Sequence, residues 1–318
     1  MMKKIVSLVL ALMLCLSCVS ALAAEAWTVT CPWAPSGVAA MVNQKAASLS
    51  TTYSQDYVLV ANAEKGDTAT INSWLTKYTE ADPQMCFIGE GMFGITAILD
   101  PERMNFTYDD FKYVENLYSS IFVASARKEL GITSIDALKA YLEEGNQIMV
   151  GTNGATGSEA FLAAALIGAM GYGDQFYLIP YESAAEAAQA VTRGEVDIAV
   201  SHQSQILETW QQGGVDVFAA FDGKPIAQGP FKGVEGVGQY GYPYFRNRCF
   251  IFAKAGADEQ KIADLKALYA QILTDEEMVD WLNNTMLLEA DMMTEEEVIA
   301  HIDNVKNIVD EYYDLVAE

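Results

Sequence analysis

Two patterns of hydrophobic and polar residues follow each other in turn along the chain. Short apolar runs bounded by turn residues, typical of strands, are followed by longer segments with apolar residues at helical spacing. Repeated β-loop-α units predict parallel strands with helices on the faces of a sheet, so we expect an α/β fold. The predicted strands are 27–31, 57–61, 84–88, 118–126, 147–150, 177–180, 196–200 and 248–254, and the predicted helices are 38–49, 69–79, 135–143, 158–170, 184–192, 259–273, 276–282 and 295–315.

The first 24 residues differ from this pattern. Lys3 and Lys4 precede an apolar run, and small residues follow around Ala23 and Ala24, which is the order of a secretory signal peptide. We expect cleavage after Ala23 or Ala24; acylation at Cys18 is the alternative, although Leu-Ser-Cys is a poor acylation site. The segment predicts an exported protein, in the periplasm or on the outer face of the cytoplasmic membrane.

The charge of the chain restricts its partners. It carries 19 basic and 43 acidic residues, a formal net charge of −24 at pH 7. Such a charge repels nucleic acid and anionic lipid and supports solubility. The 318 residues suit two domains of ordinary size, and neither internal repeats nor low-complexity tracts interrupt them. We expect a monomer that binds no nucleic acid.

Three cysteines follow the predicted signal peptide, each within an apolar or aromatic run. An odd number argues against a disulfide framework, and a chain of this length does not need one. We interpret Cys31, Cys86 and Cys249 as buried thiols, with a bridge between Cys31 and Cys86 as the alternative.

A glycine-rich turn, Thr152–Gly157 in VGTNGATGSEAFL, lies between a predicted strand and a helix. Glycines let the backbone approach a ligand, Thr156 or Ser158 can cap the helix, and free N–H groups at a helix start bind anions. The turn lacks the Gly-Lys-Ser/Thr ending of a phosphate-binding loop. It predicts a carboxylate or phosphate site, although such turns also occur without a ligand.

A second turn of this kind, Pro32–Gly37, follows the first predicted strand and precedes the first helix. Ligands of open α/β sheets bind where loops leave the carboxyl ends of strands. Two such turns, one in each half of the chain, favour a binding cleft between two lobes.

The order of several motifs resembles one family over about residues 25–316. These motifs are PWAPSG, FIGEG, VGTNGATGS, IPYESA and RGEVDIAVSH. Together they resemble the substrate-binding receptors of tripartite tricarboxylate transporters, the Bug-type extracytoplasmic solute receptors. No single motif is diagnostic, but their order and spacing are.

The resemblance implies a type II periplasmic binding protein fold, in which two α/β lobes with mainly parallel sheets are joined by two crossing strands. The crossings are expected around 120–126 and 248–252. Lobe one is then 25–122 plus 250–318, and lobe two is 123–249. Such receptors capture a small carboxylate by closure of the lobes and deliver it to a membrane permease.

The resemblance also implies how the carboxylate is held. Backbone N–H groups and hydroxyls of two facing loops surround it, so a lysine in the site is not required. The matching positions are Ala34, Ser36, Gly37 and Val38 in lobe one and Thr152, Asn153, Thr156, Gly157 and Ser158 in lobe two.

Two departures from the family pattern bear on the ligand. The first loop commonly carries glycines where this chain has Ser36, Val38 and Ala39, which narrows the backbone conformations available there. The loop after the third strand carries Glu90, where small neutral residues are usual. A carboxylate there opposes a polyanion and favours a zwitterionic or singly anionic ligand, unless Glu90 points to solvent.

Other polar residues are candidates with two interpretations each. Arg248 lies two residues after Arg246, on the same face of the predicted strand. It either binds a distal carboxylate of the ligand or forms an ion pair between the lobes. Tyr181 either lines the pocket or is a half-buried structural residue. His202 ends a strand within reach of the cleft, and His301 is expected on the surface of the final helix.

An enzyme is not expected. The two histidines are far apart in the sequence, and neither a His-Glu-x-x-His nor a Cys-x-x-Cys spacing nor a Gly-x-Ser-x-Gly motif is present. We therefore predict no catalytic residues, no metal and no cofactor. The remaining alternatives are an adaptor that presents its ligand to a membrane sensor and a secreted enzyme on a binding-protein fold.

Overall fold

A computed structural model describes residues 24–317. The predicted signal peptide and Cys18 lie outside this range, apart from Ala24. Among the described residues, no helix has the length and apolar character needed to cross a membrane.

Eleven strands form two sheets within the described range. In chain order they are β1 (Glu25–Cys31), β2 (Tyr57–Ala63), β3 (Gln84–Gly89), β4 (Phe111–Ser120), β5 (Phe122–Arg127), β6 (Ile148–Asn153), β7 (Phe176–Tyr181), β8 (Ile198–His202), β9 (Val215–Ala220), β10 (Asn247–Lys254) and β11 (Glu289–Ala290). Nine of them overlap the predicted runs, whereas β9 and β11 were not predicted.

Helices connect these strands and cover the sheets. Several open with a side-chain cap: Ser134, for example, accepts a hydrogen bond from the Ala137 N–H. The main helices are α1 (Val38–Tyr53), α2 (Thr68–Lys77), α3 (Ile135–Glu143), α4 (Ser158–Ala169), α5 (Ala184–Thr192), α6 (Gln203–Gln211), α7 (Glu259–Leu273), α8 (Glu276–Asp280), α9 (Glu295–Tyr312) and α10 (Asp314–Ala317), with π-helical turns at Met92–Thr96 and Trp281–Met286.

The strand order separates the two lobes. The first sheet has the order β11-β4-β10-β3-β1-β2 and the second has the order β7-β6-β8-β5-β9. Each sheet combines parallel pairs, such as β1 with β2 and β6 with β7, with antiparallel pairs around β10 and β5. The predicted α/β fold with two lobes, that of a type II periplasmic binding protein, is confirmed.

The chain passes between the sheets at two places. The predicted strand 118–126 consists of two strands, because β4 ends at Ser120 in the first sheet and β5 begins at Phe122 in the second. The second crossing was expected around 248–252, but β10 lies entirely in the first sheet, so the return passage is instead the segment 221–246 between β9 and β10. The residue bounds of the lobes remain a prediction.

The final long helix packs on both lobes. Val298 and Ile302 belong to a core cluster beside the first sheet, whereas Val305 and Val309 belong to the cluster formed by α4 and the second sheet. Gly94, in the first π-helical turn, lies so close that a Cβ there would be 2.5 Å from Val305 Cγ1. Helix α9 is therefore a third contact between the lobes, which the sequence did not indicate.

The three cysteines are buried and free. Burial raises the pKa of the Cys31 thiol to about 11, so this thiol is protonated near neutral pH. The interpretation as buried thiols is confirmed, and the alternative of a bridge between Cys31 and Cys86 is wrong.

Candidate functional site

A cleft of about 480 Å³ lies between the lobes, at the carboxyl ends of β1, β3, β6 and β8. Its wall contains six of the nine residues that the resemblance implied, which are Gly37, Val38, Asn153, Thr156, Gly157 and Ser158. Two other predicted candidates, Glu90 and His202, also line it.

Two helices, one from each lobe, begin at this cleft. Gly37 precedes α1 and Gly157 precedes α4, both in extended conformation and without a side-chain hydrogen bond to the first turn. Neither glycine can cap the first N–H groups with a side chain, although the Glu159 N–H in the first turn of α4 contacts its own carboxylate, and each helix contributes a partial positive charge there. A Cβ at Gly157 would lie 2.5 Å from the Asn153 carbonyl oxygen, so glycine is needed for this turn.

The neighbouring predicted residues support the two turns from outside the wall. Thr152 is fully buried, and its Oγ1 donates to the Gly154 carbonyl at 2.8 Å. The Ala34 carbonyl accepts from the Gly37 N–H at 2.8 Å, and Ser36 is exposed. Thr152, Ala34 and Ser36 are not brought to the cleft wall; the contacts of Thr152 and Ala34 shape the turns.

Trp33 lines the cleft and was not predicted as a site residue. Its ring packs against β3, since a Cβ at Gly89 would lie 3.4 Å from two atoms of the indole. An aromatic residue in a turn after a strand was the available signal in the sequence. Trp33 forms an apolar part of the wall beside the start of α1.

Glu90 is buried in the cleft, and the interpretation that it points to solvent is wrong. It is 1% exposed. Its carboxylate accepts hydrogen bonds from Asn247 Nδ2 at 3.0 Å, the Arg248 N–H at 2.9 Å and, across the cleft, Ser158 Oγ at 3.4 Å. Burial raises the pKa of Glu90 to about 7, although the Arg248 N–H and the Asn247 amide lower it.

Glu159, in the first turn of α4, is a second buried acid on the wall and was not predicted. It is 5% exposed. Burial raises the pKa of Glu159 to about 7; its own backbone N–H lowers the pKa and the charge of Glu90 raises it. The sequence placed Glu159 in a helix start, where acids are common, and so carried no signal of its burial.

His202 lies on the wall at the passage between the lobes. Its Nδ1 is 2.8 Å from Ser120 Oγ, and its ring centroid is 4.5 Å from that of Phe122. Burial lowers the pKa of His202 to about 4, so the ring is neutral near pH 7. Gln205, also on the wall, accepts from the His202 backbone N–H at 3.1 Å.

Arg248 directs its guanidinium away from the cleft. Its Nε donates to Asp291 at 2.7 Å and its Nη1 to His301 Nδ1 at 3.0 Å. Arg246 binds Asp222 and Glu289, each at 2.6 Å, so both arginines form ion pairs. The proposed contact of Arg248 with a distal carboxylate has no support in this placement.

Two further expectations change with the structure. His301 is buried rather than on the surface, because α9 packs against β10 at this point, and burial lowers its pKa to about 3. Tyr181 ends the edge strand β7 and its hydroxyl lies 3.4 Å from Glu195, outside the cleft wall. Among the described residues, no lysine or arginine lines the cleft, and no group of three potential metal ligands occurs.

The comparison with protein-family models identifies one family. A family model described as "Tripartite tricarboxylate transporter family receptor" matches residues 55–307. A search of curated proteins finds no match.

Similar solved structures share the fold. A TctC solute binding protein from Polaromonas, without ligand, has a TM-score of 0.74 at 15% identity, covering 90% of this chain and 98% of that one. An R. palustris protein with adipate has a TM-score of 0.74 at 16% identity, covering 92% and 97%. MatC from Rhodopseudomonas palustris with bound malate has a TM-score of 0.65 at 16% identity, covering 92% and 98%. By the family match, which spans most of its length, this chain belongs to the receptors of the tripartite tricarboxylate transporter family.

Proposed function

We propose that this chain is an exported solute receptor that captures a small carboxylate in the cleft between its lobes. The observation that carries the proposal is the pair of glycine-capped helix starts, α1 and α4, which face the same cleft from opposite lobes. Free N–H groups and helix dipoles bind an anion without a charged side chain. The bound adipate and malate of two proteins with this fold agree with such a ligand.

Capture by closure follows from the position of the cleft. A ligand carboxylate between the two helix starts contacts both lobes, so it binds the closed form better than the open form. The passages at Ile121 and 221–246 are where the lobes can rotate relative to each other. The closed receptor then delivers its ligand, as a monomer, to membrane permease subunits at the outer face of the cytoplasmic membrane.

The cleft wall restricts the kind of carboxylate. Glu90 and Glu159 are acidic, and no basic side chain on the described wall offsets them. A tricarboxylate such as citrate would bring more negative charge next to these acids. We therefore propose a singly anionic or zwitterionic ligand.

The test is a thermal-shift screen of residues 25–318 against mono-, di- and tricarboxylates and amino acids. A ligand at 100 times its Kd stabilises the folded protein by about 2.7 kcal/mol. Thr156→Ala and Ser158→Ala remove hydroxyls on the wall and should weaken binding, whereas Thr51→Ala, exposed on α1, is the matched control. If no carboxylate and no amino acid stabilises the protein, the proposal is wrong.

A further inference from the structure

Two acids, one from each lobe, meet in the cleft. Glu90 follows β3 in the first lobe, and Glu159 lies in the first turn of α4 in the second. Both are on the wall and nearly inaccessible, at 1% and 5% exposure. Ser158, the residue before Glu159, has its Oγ 3.4 Å from a Glu90 carboxylate oxygen, so the two acids lie near each other, and Glu90 raises the pKa of Glu159.

Glu159 stands out because its carboxylate has no partner residue. Glu90 has three donors, but for Glu159 the structure shows only its own backbone N–H. A carboxylate that is more than nine-tenths buried without a donor from another residue is costly to ionise. Because Glu159 also lines the cavity, a ligand in the cleft can supply the missing partner.

No cationic side chain contacts the pair, although the charge of Arg248 lowers the pKa of Glu90. The guanidinium of Arg248 points to Asp291 and His301, and only its backbone N–H contacts Glu90. Burial lowers the pKa of His202 to about 4 and raises those of Tyr118 and Cys249, so these groups are neutral near pH 7. The titratable and charged groups that face the pair from the packed elements are Asp67, Tyr118, His202, Arg248 and Cys249.

We infer that Glu90 and Glu159 together bind an ammonium group, so that the ligand is a small zwitterion such as an α-amino acid. The inference rests on the proposed function, because the carboxylate of the same ligand lies at the starts of α1 and α4. A cation between the two carboxylates replaces the solvation that they lose when the lobes close. Glu159 is only two residues from Gly157, so the ammonium and carboxylate positions are neighbours, which favours a short ligand.

The pair makes the effect of pH depend on the ligand. An ammonium group requires ionised carboxylates, so the affinity for a zwitterion should rise as pH increases through about 7. A ligand with carboxylates alone prefers the protonated acids, so its affinity should fall over the same range. The affinities of the two classes of ligand should therefore change with pH in opposite directions.

Matched pairs of compounds test the inference by isothermal titration calorimetry at pH 6 and pH 8. The pairs are L-alanine with propionate, L-aspartate with succinate, and L-glutamate with glutarate, each differing in the amino group alone. At pH 8 we expect the amino member of at least one pair to bind at least tenfold more tightly than its carboxylate partner. The ratio of the two affinities should be smaller at pH 6.

Variants connect the preference to these residues. Glu159→Gln should reduce the ratio at least tenfold, as should Glu90→Gln, while the exposed Glu144→Gln should leave it unchanged. If Glu90→Gln does not fold, Glu159→Gln carries the test. An unchanged ratio in Glu159→Gln overturns the assignment to this pair.

Two other results are also decisive. A carboxylate that binds as tightly as its amino partner in every pair overturns the ammonium site and leaves the receptor function intact. If none of the six compounds binds, the ammonium inference is wrong, whereas the thermal-shift screen decides on the receptor function.

Discussion

Replacing Glu159 by glutamine should stabilise the ligand-free protein at high pH. In the folded protein the pKa of Glu159 is raised from 4.5 to about 7, mainly by burial. One pKa unit corresponds to 1.36 kcal/mol, so ionising Glu159 in the folded state costs on the order of 3 kcal/mol. The pKa of Glu159 is higher in the folded than in the unfolded state. The contribution of Glu159 to the free energy of unfolding is therefore fully present below pH 4.5 and is lost as pH rises through about 7.

The measurement is urea denaturation of the mature protein and of Glu159→Gln at pH 4.5 and pH 8. The glutamine amide has its own cost of burial, but this cost is the same at both pH values and cancels in their difference. We expect the stability of the variant relative to the original to increase by about 3 kcal/mol between pH 4.5 and pH 8. Opening of the cleft rehydrates the acid, so this figure is an upper bound.

The control is Glu144→Gln, which replaces an exposed acid in the same lobe. Substitutions at such positions change the free energy of unfolding by no more than about 0.5 kcal/mol. The reasoning is refuted if Glu159→Gln shows no larger pH-dependent gain than this control.

Three further predictions concern the packing. Arg246→Met should lower the free energy of unfolding by about 3 kcal/mol, because it leaves Asp222 and Glu289 without their partner, and a loss below 1 kcal/mol in urea would contradict this. Gly94→Ala should lower the free energy of unfolding by about 1–3 kcal/mol, because the new Cβ would clash with Val305 of α9. Adding Val305→Ala should recover part of this loss, and no recovery would argue against the contact. All three cysteines of the mature protein should react with a thiol reagent only after denaturation, and rapid reaction of the folded protein would count against their burial.

The elements near the site were well predicted because their patterns are local. The start of α4 at Ser158 and the turn before it follow from glycine and hydroxyl positions in a few consecutive residues. The strands β9 and β11 and the helix α6 were not predicted. β11 has two residues, and α6 begins directly after β8 without an intervening turn, so neither gives a clear periodic signal.

The direction of single side chains was less predictable. Arg248 and Glu90 are both near the cleft in the chain, yet the first turns toward Asp291 and the second lies buried in the wall. His301 has acidic neighbours on α9 and was expected on the surface, but it packs beside Phe250. In each case the partner is distant in sequence, so local residue types carry no information about it.

The sequence by itself determined the α/β class, the two glycine-capped turns and the family, because these depend on periodicity, on backbone freedom at glycine and on motif order. Only the tertiary structure decided that Glu90 and Glu159 are buried in the wall of the same cleft and that α9 contacts both lobes. Burial and the mutual repulsion of two carboxyls arise from packing between segments far apart in the chain. The chemistry of the binding cleft therefore follows from the fold rather than from any single motif.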